Sequence, residues 1–272
     1  MSALISAAEL HQILGQPHVK IVDGSYGLPP SDAGIAGTVD FDIDAIADLS
    51  APLPHTIPSP AFFAEKVGAL GISNADRVIV YDRVGMAMSA ARVWWMFRLF
   101  GHDNVQVLNG GLPAWVASGF SLVYKNREPE PEVFKASFRP ELFKSLDAMK
   151  DNLSSPAFQV LDARDARRYR GEMPEPRPGI ESGHIPGAVS TPFADLINPA
   201  NGHMKAPDEL NAIFKSVDLQ KPIACSCGSG VTACVVALGL FEVGKKDAAI
   251  YGGSWTEWGA NPALPKNKGD QP

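Results

Sequence analysis

Cysteine is scarce in this chain: three residues in 272, all between Cys225 and Cys234. Three thiols cannot close a disulfide framework. Cys225-Ser226-Cys227 lacks zinc-knuckle spacing, and no second ligand cluster lies nearby in sequence, so no metal is expected. A reducing, cytoplasmic environment is. Charge is sparse too, at 20% of residues, with a formal net charge of −6. No Lys/Arg cluster is long enough to track a phosphate backbone, so nucleic acid is not an expected partner. Long apolar runs are also missing. The start, Met1-Ser2-Ala3-Leu4-Ile5, has no basic region followed by an apolar core, so no secretory signal is read there. Residues 222–241 carry no charge, but Ser226-Cys227-Gly228-Ser229-Gly230 interrupts them. The apolar stretch that follows is about half of what a bilayer demands, and no membrane association is expected. What remains is a chain 45% apolar with 25 Gly and 23 Pro, the composition of a turn-rich globular protein.

The chain repeats itself once. Ser6-Ala7-Ala8-Glu9 is a capping box that predicts a helix start, and Ser145 precedes a second helical pattern 139 residues later. Asp23 and Asp162 each end an apolar run at that same offset of 139. Val78-Ile79-Val80-Tyr81-Asp82 answers to Ile223-Ala224-Cys225-Ser226-Cys227, and Asn109-Gly110-Gly111 to Gly252-Gly253-Ser254. Trp115 and Trp258 follow the latter pair at one offset, 143. Short apolar strands alternating with helical patterns predict an α/β protein, each half a mostly parallel sheet flanked by helices. The expected division is a domain over 1–123, a Pro- and charge-rich linker over 124–139, and a domain over 140–272. Ligands in such sheets sit at the carboxyl ends of strands, where Asp82 and Cys227 both fall.

Cys227-Gly228-Ser229-Gly230-Val231-Thr232 leads from a buried strand into a helix. A loop of this shape turns backbone N–H groups inward, and the helix N-terminus adds partial positive charge. Both favour a thiolate at Cys227 and would cradle a persulfide there. The alternative is a small buried hydrophobe, a common role for free cysteine. Cys225, deeper in the strand, and Cys234, on the helix, read as structural. A phosphatase would need an Arg closing a larger loop; none follows Cys227 before Lys245, which argues against it.

This loop resembles the active-site loop of the two-domain rhodanese-type sulfurtransferases, and most nearly their 3-mercaptopyruvate sulfurtransferase branch. Further matches are Pro174-Glu175-Pro176-Arg177, Gly183-His184-Ile185-Pro186-Gly187 and Gly253-Ser254-Trp255-Thr256-Glu257-Trp258 in the second half. In the first half they are Phe41-Asp42-Ile43-Asp44, Arg92-Val93-Trp94-Trp95-Met96-Phe97-Arg98 and Asn109-Gly110-Gly111. The resemblance implies two tandem rhodanese-like domains with catalysis in the second, and Asp82 in place of a cysteine implies a silent first domain. It implies Cys227 as nucleophile, with Gly228, Gly230, Val231 and Thr232 as the cradle. Arg168 and Arg177 would bind the substrate's carboxylate and ketone, and Ser229, His55 and Asp44 would manage protons. His184 and Asp162 read as structural. Neutral residues at 228 and 229 favour a monoanionic mercapto acid as donor. The implied acceptor is a thiol such as thioredoxin, or cyanide, and no cofactor is implied. The alternatives are a thiosulfate:cyanide sulfurtransferase and a non-catalytic sulfur carrier or interaction module. Two departures stand out: Gly34-Ile35-Ala36-Gly37 replaces the first half's usual His-Ile-Pro-Gly, and Gly252 replaces an Asp.

Overall fold

The Ser6 hydroxyl accepts a hydrogen bond from the Glu9 amide at 3.2 Å, and the Glu9 carboxylate accepts one from the Ser6 amide at 2.9 Å. This reciprocal cap starts helix α1 (Ala7–Ile13) directly after strand β1 (Leu4–Ile5). In the computed structural model, described for residues 2–125 and 128–272, the chain divides into two units. One comprises Met1–Leu49, Ile57–Arg139 and Ile197–Met204, and the other Ser50–Thr56, Pro140–Leu196 and Lys205–Pro272.

In the first unit, β2 (Val19–Asp23), β4 (Thr38–Asp40), β5 (Arg77–Tyr81) and β6 (Val105–Leu108) join β1 in one parallel sheet. The strand order is β1-β6-β5-β2-β4. Two short strands, β3 (Ala33–Gly34) and β7 (Val123–Tyr124), pair antiparallel beside it. The second unit repeats the arrangement with β8 (Phe143–Lys144), β9 (Gln159–Asp162), β10 (Ala188–Ser190), β11 (Ile223–Ser226) and β12 (Ala249–Tyr251). Its order is β10-β9-β11-β12-β8, again all parallel. Each strand of one five-stranded sheet thus has its counterpart in the other, β5 answering to β11 at both centres. Val78, Ile79 and Val80 have no exposed surface, and Ala224 and Cys225 have none either. Strands covered on both faces require such continuous apolar runs. The covers include α2 (Pro60–Ala69), α3 (Met88–Leu99) and α4 (Gly111–Ala117) in the first unit. In the second they include α5 (Leu146–Ser154), α6 (Ala166–Tyr169), α7 (Pro207–Ile213), α8 (Ala233–Glu242) and α9 (Ser254–Trp258). No helix among the described residues is long and apolar enough to cross a membrane.

Residues 124–139 behave differently from the expected linker. Asn126 and Arg127 lie outside the described residues, but the rest is anchored along the first unit. Tyr124 sits in β7, and the Lys125 ammonium holds Asp23 at 3.0 Å and Asp40 at 2.6 Å. The Glu132 amide donates to the Gly68 carbonyl at 2.8 Å, and Arg139 forks both Asp103 oxygens at 2.8 Å. Phe134 is 5% exposed, with its ring against Phe63, Phe97 and His102. Proline and charge dominate the exposed residues of this segment, while the buried Phe134 packs it against the first unit.

The departure at Gly34-Ile35-Ala36-Gly37 leaves the turn itself intact. The Thr38 amide bonds the Ile35 carbonyl at 3.1 Å with Gly37 at φ 79°, as the Ala188 amide bonds that of Ile185 at 3.0 Å with Gly187 at φ 82°. His184, as expected, is structural: buried, stacked on Tyr169 and bonded to two backbone carbonyls. At Gly34 its place is filled, since a Cβ there would lie 2.8 Å from the Tyr81 hydroxyl. Phe134→Ala is expected to cost about 3 kcal/mol by opening a cavity in the first unit. Urea denaturation measures this, and a Tm unchanged from wild type would mean that the segment is a free linker after all.

Candidate active site

Cys227 directly follows β11, the central strand of the second sheet, and is 2% exposed. The first turn of α9 holds its loop. The Trp255 amide donates to the Cys227 carbonyl and the Thr256 amide to the Gly228 carbonyl, each at 2.9 Å. The Thr256 hydroxyl adds a second bond to Gly228 at 2.6 Å. In a planar trans peptide the C=O and the following N–H point opposite ways. Tying the carbonyls of 227 and 228 to α9 therefore turns the N–H groups of Gly228 and Ser229 away from that helix. Gly230, at φ 80°, brings its own N–H to 3.2 Å from the Cys227 sulfur. Helix α8 begins at Ala233 and turns its positive end toward the same loop. Two other thiols lie close by in the fold. Burial pushes the Cys225 thiol up, with further contributions from Cys234 and Cys227, while Cys234 donates to the Gly230 carbonyl at 3.3 Å. Both are fully buried, as their structural reading requires.

Three arginines and two carboxylates line up behind the loop. Asp162, at the end of β9, accepts from the Arg164 amide and from its guanidinium, the shortest contact being 2.5 Å. Arg164 also reaches Glu175 at 3.0 Å and the Gly183 carbonyl at 2.7 Å, and lies over the Trp255 ring. Burial alone would lower the Arg164 guanidinium; Asp162, Glu175 and Cys227 outweigh it and hold it firmly charged. Glu175, its side chain 3% exposed, grips Arg168 through Nη2 at 2.5 Å and Nε at 3.3 Å. The two terminal nitrogens of Arg168 lie 3.4 and 4.0 Å from where a Gly228 Cβ would be. Arg177 Nη1 meets the Thr256 hydroxyl at 3.5 Å, the same hydroxyl that holds Gly228. Both expected arginines therefore stand next to the cysteine loop.

Ser229 is half-buried in that loop, Val231 buried and Thr232 half-buried at the entry to α8. His55 belongs to the second unit through the short segment Ser50–Thr56 and is 5% exposed, with φ 56°. Asp44 belongs to the first unit, exposed in a turn where its amide bonds Asp42 at 2.8 Å. Sequence reasoning missed Arg164, Glu175 as a partner, and Ser254. Ser254 sits at φ 50°, fully buried, accepting from the Cys227 amide at 3.2 Å and donating to the Tyr251 carbonyl at 2.9 Å. The repeat offset of 143 points to it, because Gly111 holds the equivalent place at φ 57°. The Gly252 departure has a local cause: a Cβ there would stand 2.4 Å from the Phe143 ring. Among the described residues no group of three or more His, Cys, Asp or Glu side chains could hold a metal ion.

The first unit carries the same frame around a different group. Leu112 donates to the Asp82 carbonyl at 2.9 Å, as Trp255 does to Cys227, and Gly85 donates to the Asp82 carboxylate at 2.7 Å, as Gly230 does to the sulfur. Ser25 stands where Arg164 stands, hydrogen-bonded to Asp23. Burial pushes the Asp82 carboxyl up, although the Gly85 and Ala90 amides oppose it.

The model of the rhodanese-like domain matches residues 6–118 and again 145–261. The chain belongs to the rhodanese family. It is 43% identical to human 3-mercaptopyruvate sulfurtransferase over 94% of its own length and 91% of that protein. Mouse thiosulfate sulfurtransferase is 42% identical, over 89% of this chain and 85% of that one. Among solved structures, the 3-mercaptopyruvate sulfotransferase SseA of Escherichia coli superposes with a TM-score of 0.84 at 36% identity. That match covers 94% of this chain and 99% of SseA. The tandem match confirms the two rhodanese domains that the resemblance implied and the α/β repeat read from the offsets.

Ser254→Ala leaves the buried Cys227 amide without its acceptor and is expected to cost about 1–3 kcal/mol, read from denaturant midpoints. Asp82→Asn keeps the Gly85 bond, gives up the longer one from the Ala90 amide at 3.4 Å, and cannot ionise. Because the folded carboxyl holds its proton more tightly than the unfolded one, its contribution is fully present at low pH and lost as pH rises past the ordinary carboxylate range. The variant should therefore exceed wild type in stability at pH 7, by a margin that shrinks toward pH 4. A margin that grew on acidification would contradict this.

Proposed function

We propose that this rhodanese is a sulfurtransferase that takes the sulfur of 3-mercaptopyruvate onto Cys227 and passes it to a thiol. The observation that carries this reading is the meeting of three things on one loop. These are a sulfur facing the Gly230 N–H, and Arg168 and Arg177 beside Gly228. Arg168 and Arg177 take the donor's carboxylate and ketone, the pairing for which a guanidinium is shaped. The Cys227 thiolate attacks the donor sulfur. As the S–S bond forms, the C–S bond breaks and its electron pair passes to carbon, leaving the enolate of pyruvate. That enolate takes a proton; Ser229 and His55, both in the second unit, are the residues assigned to this transfer. The persulfide rests against the N–H groups of 228–232. An acceptor thiolate then attacks the outer sulfur and leaves as a persulfide, restoring Cys227. Two easier steps replace one hard one, and no cofactor enters.

A thiol such as thioredoxin suits the second step because it supplies a thiolate at neutral pH. A reducing compartment, the cytoplasm, is the one in which such free thiols persist. One relative, 42% identical, is named as mitochondrial in Arabidopsis thaliana. Thiosulfate is the second reading, favoured by the thiosulfate sulfurtransferases that are similarly identical. A purely non-catalytic carrier is disfavoured by the intact cysteine loop.

The test is pyruvate release from 3-mercaptopyruvate with a thiol acceptor, beside thiocyanate formation from thiosulfate and cyanide. Cys227→Ser should bring both to background. Arg177→Gln should raise KM for mercaptopyruvate by about 10- to 100-fold, the loss of one charge-assisted pair. Retained turnover in Cys227→Ser would sink the mechanism; a wild type that strongly preferred thiosulfate would sink the donor assignment alone.

A further inference from the structure

Of the two arginines beside the cysteine loop, one is gripped by a carboxylate and the other is not. Arg168 gives Nε and Nη2 to Glu175. Arg177 lies half-buried in the irregular segment between α6 and β10, and among the described residues it makes no ion pair. Its guanidinium has one hydrogen-bond partner among them, the Thr256 hydroxyl, at 3.5 Å. An arginine without restraint samples many rotamers, and a ligand that binds it must overcome that freedom.

Thr256 can supply the restraint because of the direction of its own hydrogen bonds. It is 9% exposed, in the first turn of α9. A hydroxyl has one proton to donate and two lone pairs with which to accept. The proton goes to the Gly228 carbonyl at 2.6 Å, because a carbonyl oxygen can only accept. The Thr256 oxygen is left with acceptor capacity alone, and Arg177 Nη1 is the donor that meets it. The Thr256 amide donates to the same carbonyl at 2.9 Å, so Gly228 stays tied to α9 when the hydroxyl is removed. At the repeat offset of 143 the first unit has Pro113, which offers neither a hydroxyl nor an N–H. The frame closes there without either bond, which leaves the hydroxyl available for a task other than folding. At 3.5 Å its contact with Arg177 is long for a hydrogen bond: it steers the guanidinium and leaves its other nitrogens for an incoming anion.

We propose that Thr256 is a positioning residue for the sulfur donor: its hydroxyl, aimed by Gly228, stations Arg177 at the cysteine loop before the donor arrives. This rests on the reading above, in which Arg177 binds the donor. The donor then need not order the arginine as it binds, so the effect falls on KM and not on the chemical step at Cys227.

The experiment is a double-mutant cycle read in KM and kcat for mercaptopyruvate, with wild type, Thr256→Val, Arg177→Ala, the double variant and Thr256→Ser. Valine keeps the shape and the backbone N–H and lacks the hydroxyl. Thr256→Val should raise KM about fivefold and leave kcat within about twofold. Thr256→Ser, which keeps the hydroxyl, should stay within about twofold of wild type in both. In the Arg177→Ala background the valine substitution should change kcat/KM by less than about twofold. A KM unchanged in Thr256→Val, an effect of equal size in both backgrounds, or a Thr256→Ser protein as impaired as Thr256→Val overturns the proposal. If Arg177→Ala has the KM of wild type, or Cys227→Ser turns over, the underlying reading fails instead. Should Thr256→Val not fold, Thr256→Ala takes its place in the cycle and is read against the same outcomes.

Discussion

The hydrogen bond from the Trp255 amide to the Cys227 carbonyl is where strand, loop and helix are locked into one geometry. With it in place, the peptide after Cys227 has one orientation, and Thr256 repeats the restraint one residue on. The loop can then present N–H groups to a charged sulfur without having to reorganise when the charge appears, which is the economy of a preorganised site. Ser254 completes the lock from the other side by bonding the Cys227 amide, and it accepts a left-handed backbone to do so. The same bond, from Leu112 to Asp82, organises the first unit around a carboxylate. The same frame thus surrounds a carboxyl in one unit and a thiol in the other.

Around that frame, buried charge sets position. Asp162 and Glu175 together immobilise Arg164, and Glu175 extends the chain to Arg168. Burying so many charges is costly unless each is hydrogen-bonded, and here Asp162, Arg164, Arg168 and Glu175 each take part in at least two hydrogen bonds. The first unit, with Ser25 in place of Arg164, sets Asp23 instead against Lys125 and Arg83. Its Asp82 is met by the Gly85 and Ala90 amides. The two units share a fold but not an electrostatic interior.

Much of this was legible beforehand, for identifiable reasons. The repeat could be read because apolar strand runs and the Asp23/Asp162 and Asn109/Gly252 motifs keep their offsets, and topology followed. Cys227 stood out as a candidate because it falls between a buried strand and a Gly-rich turn, at the carboxyl end of that strand. Arg164 and Glu175 did not, because a Pro- and charge-rich stretch reads as surface until the ion pairs are seen. Ser254 hid because its function depends on φ, which the residue name does not show. The path of residues 128–139 was misread for the converse reason: composition reports the average of a segment, while a single buried Phe134 decides where it lies. The pieces Ser50–Thr56 and Ile197–Met204, each grouped with the other half's unit, left no pattern in sequence.

That last feature bears on how the protein is made. A chain emerges from the ribosome in order, at about 5–20 residues per second, and domains generally fold as they appear. The first unit here needs Ile197–Met204, which follows Arg139 by 58 to 65 positions. For about 3 to 13 seconds of synthesis it must wait, nearly whole, for its last piece. During that interval the groove beside Gly85 and Gly110, which Gly202 and His203 finally press against, is open in the nascent chain. A small displacement of two loops in the finished fold thus becomes, in time, a pause during which the growing protein depends on its own unfinished second half.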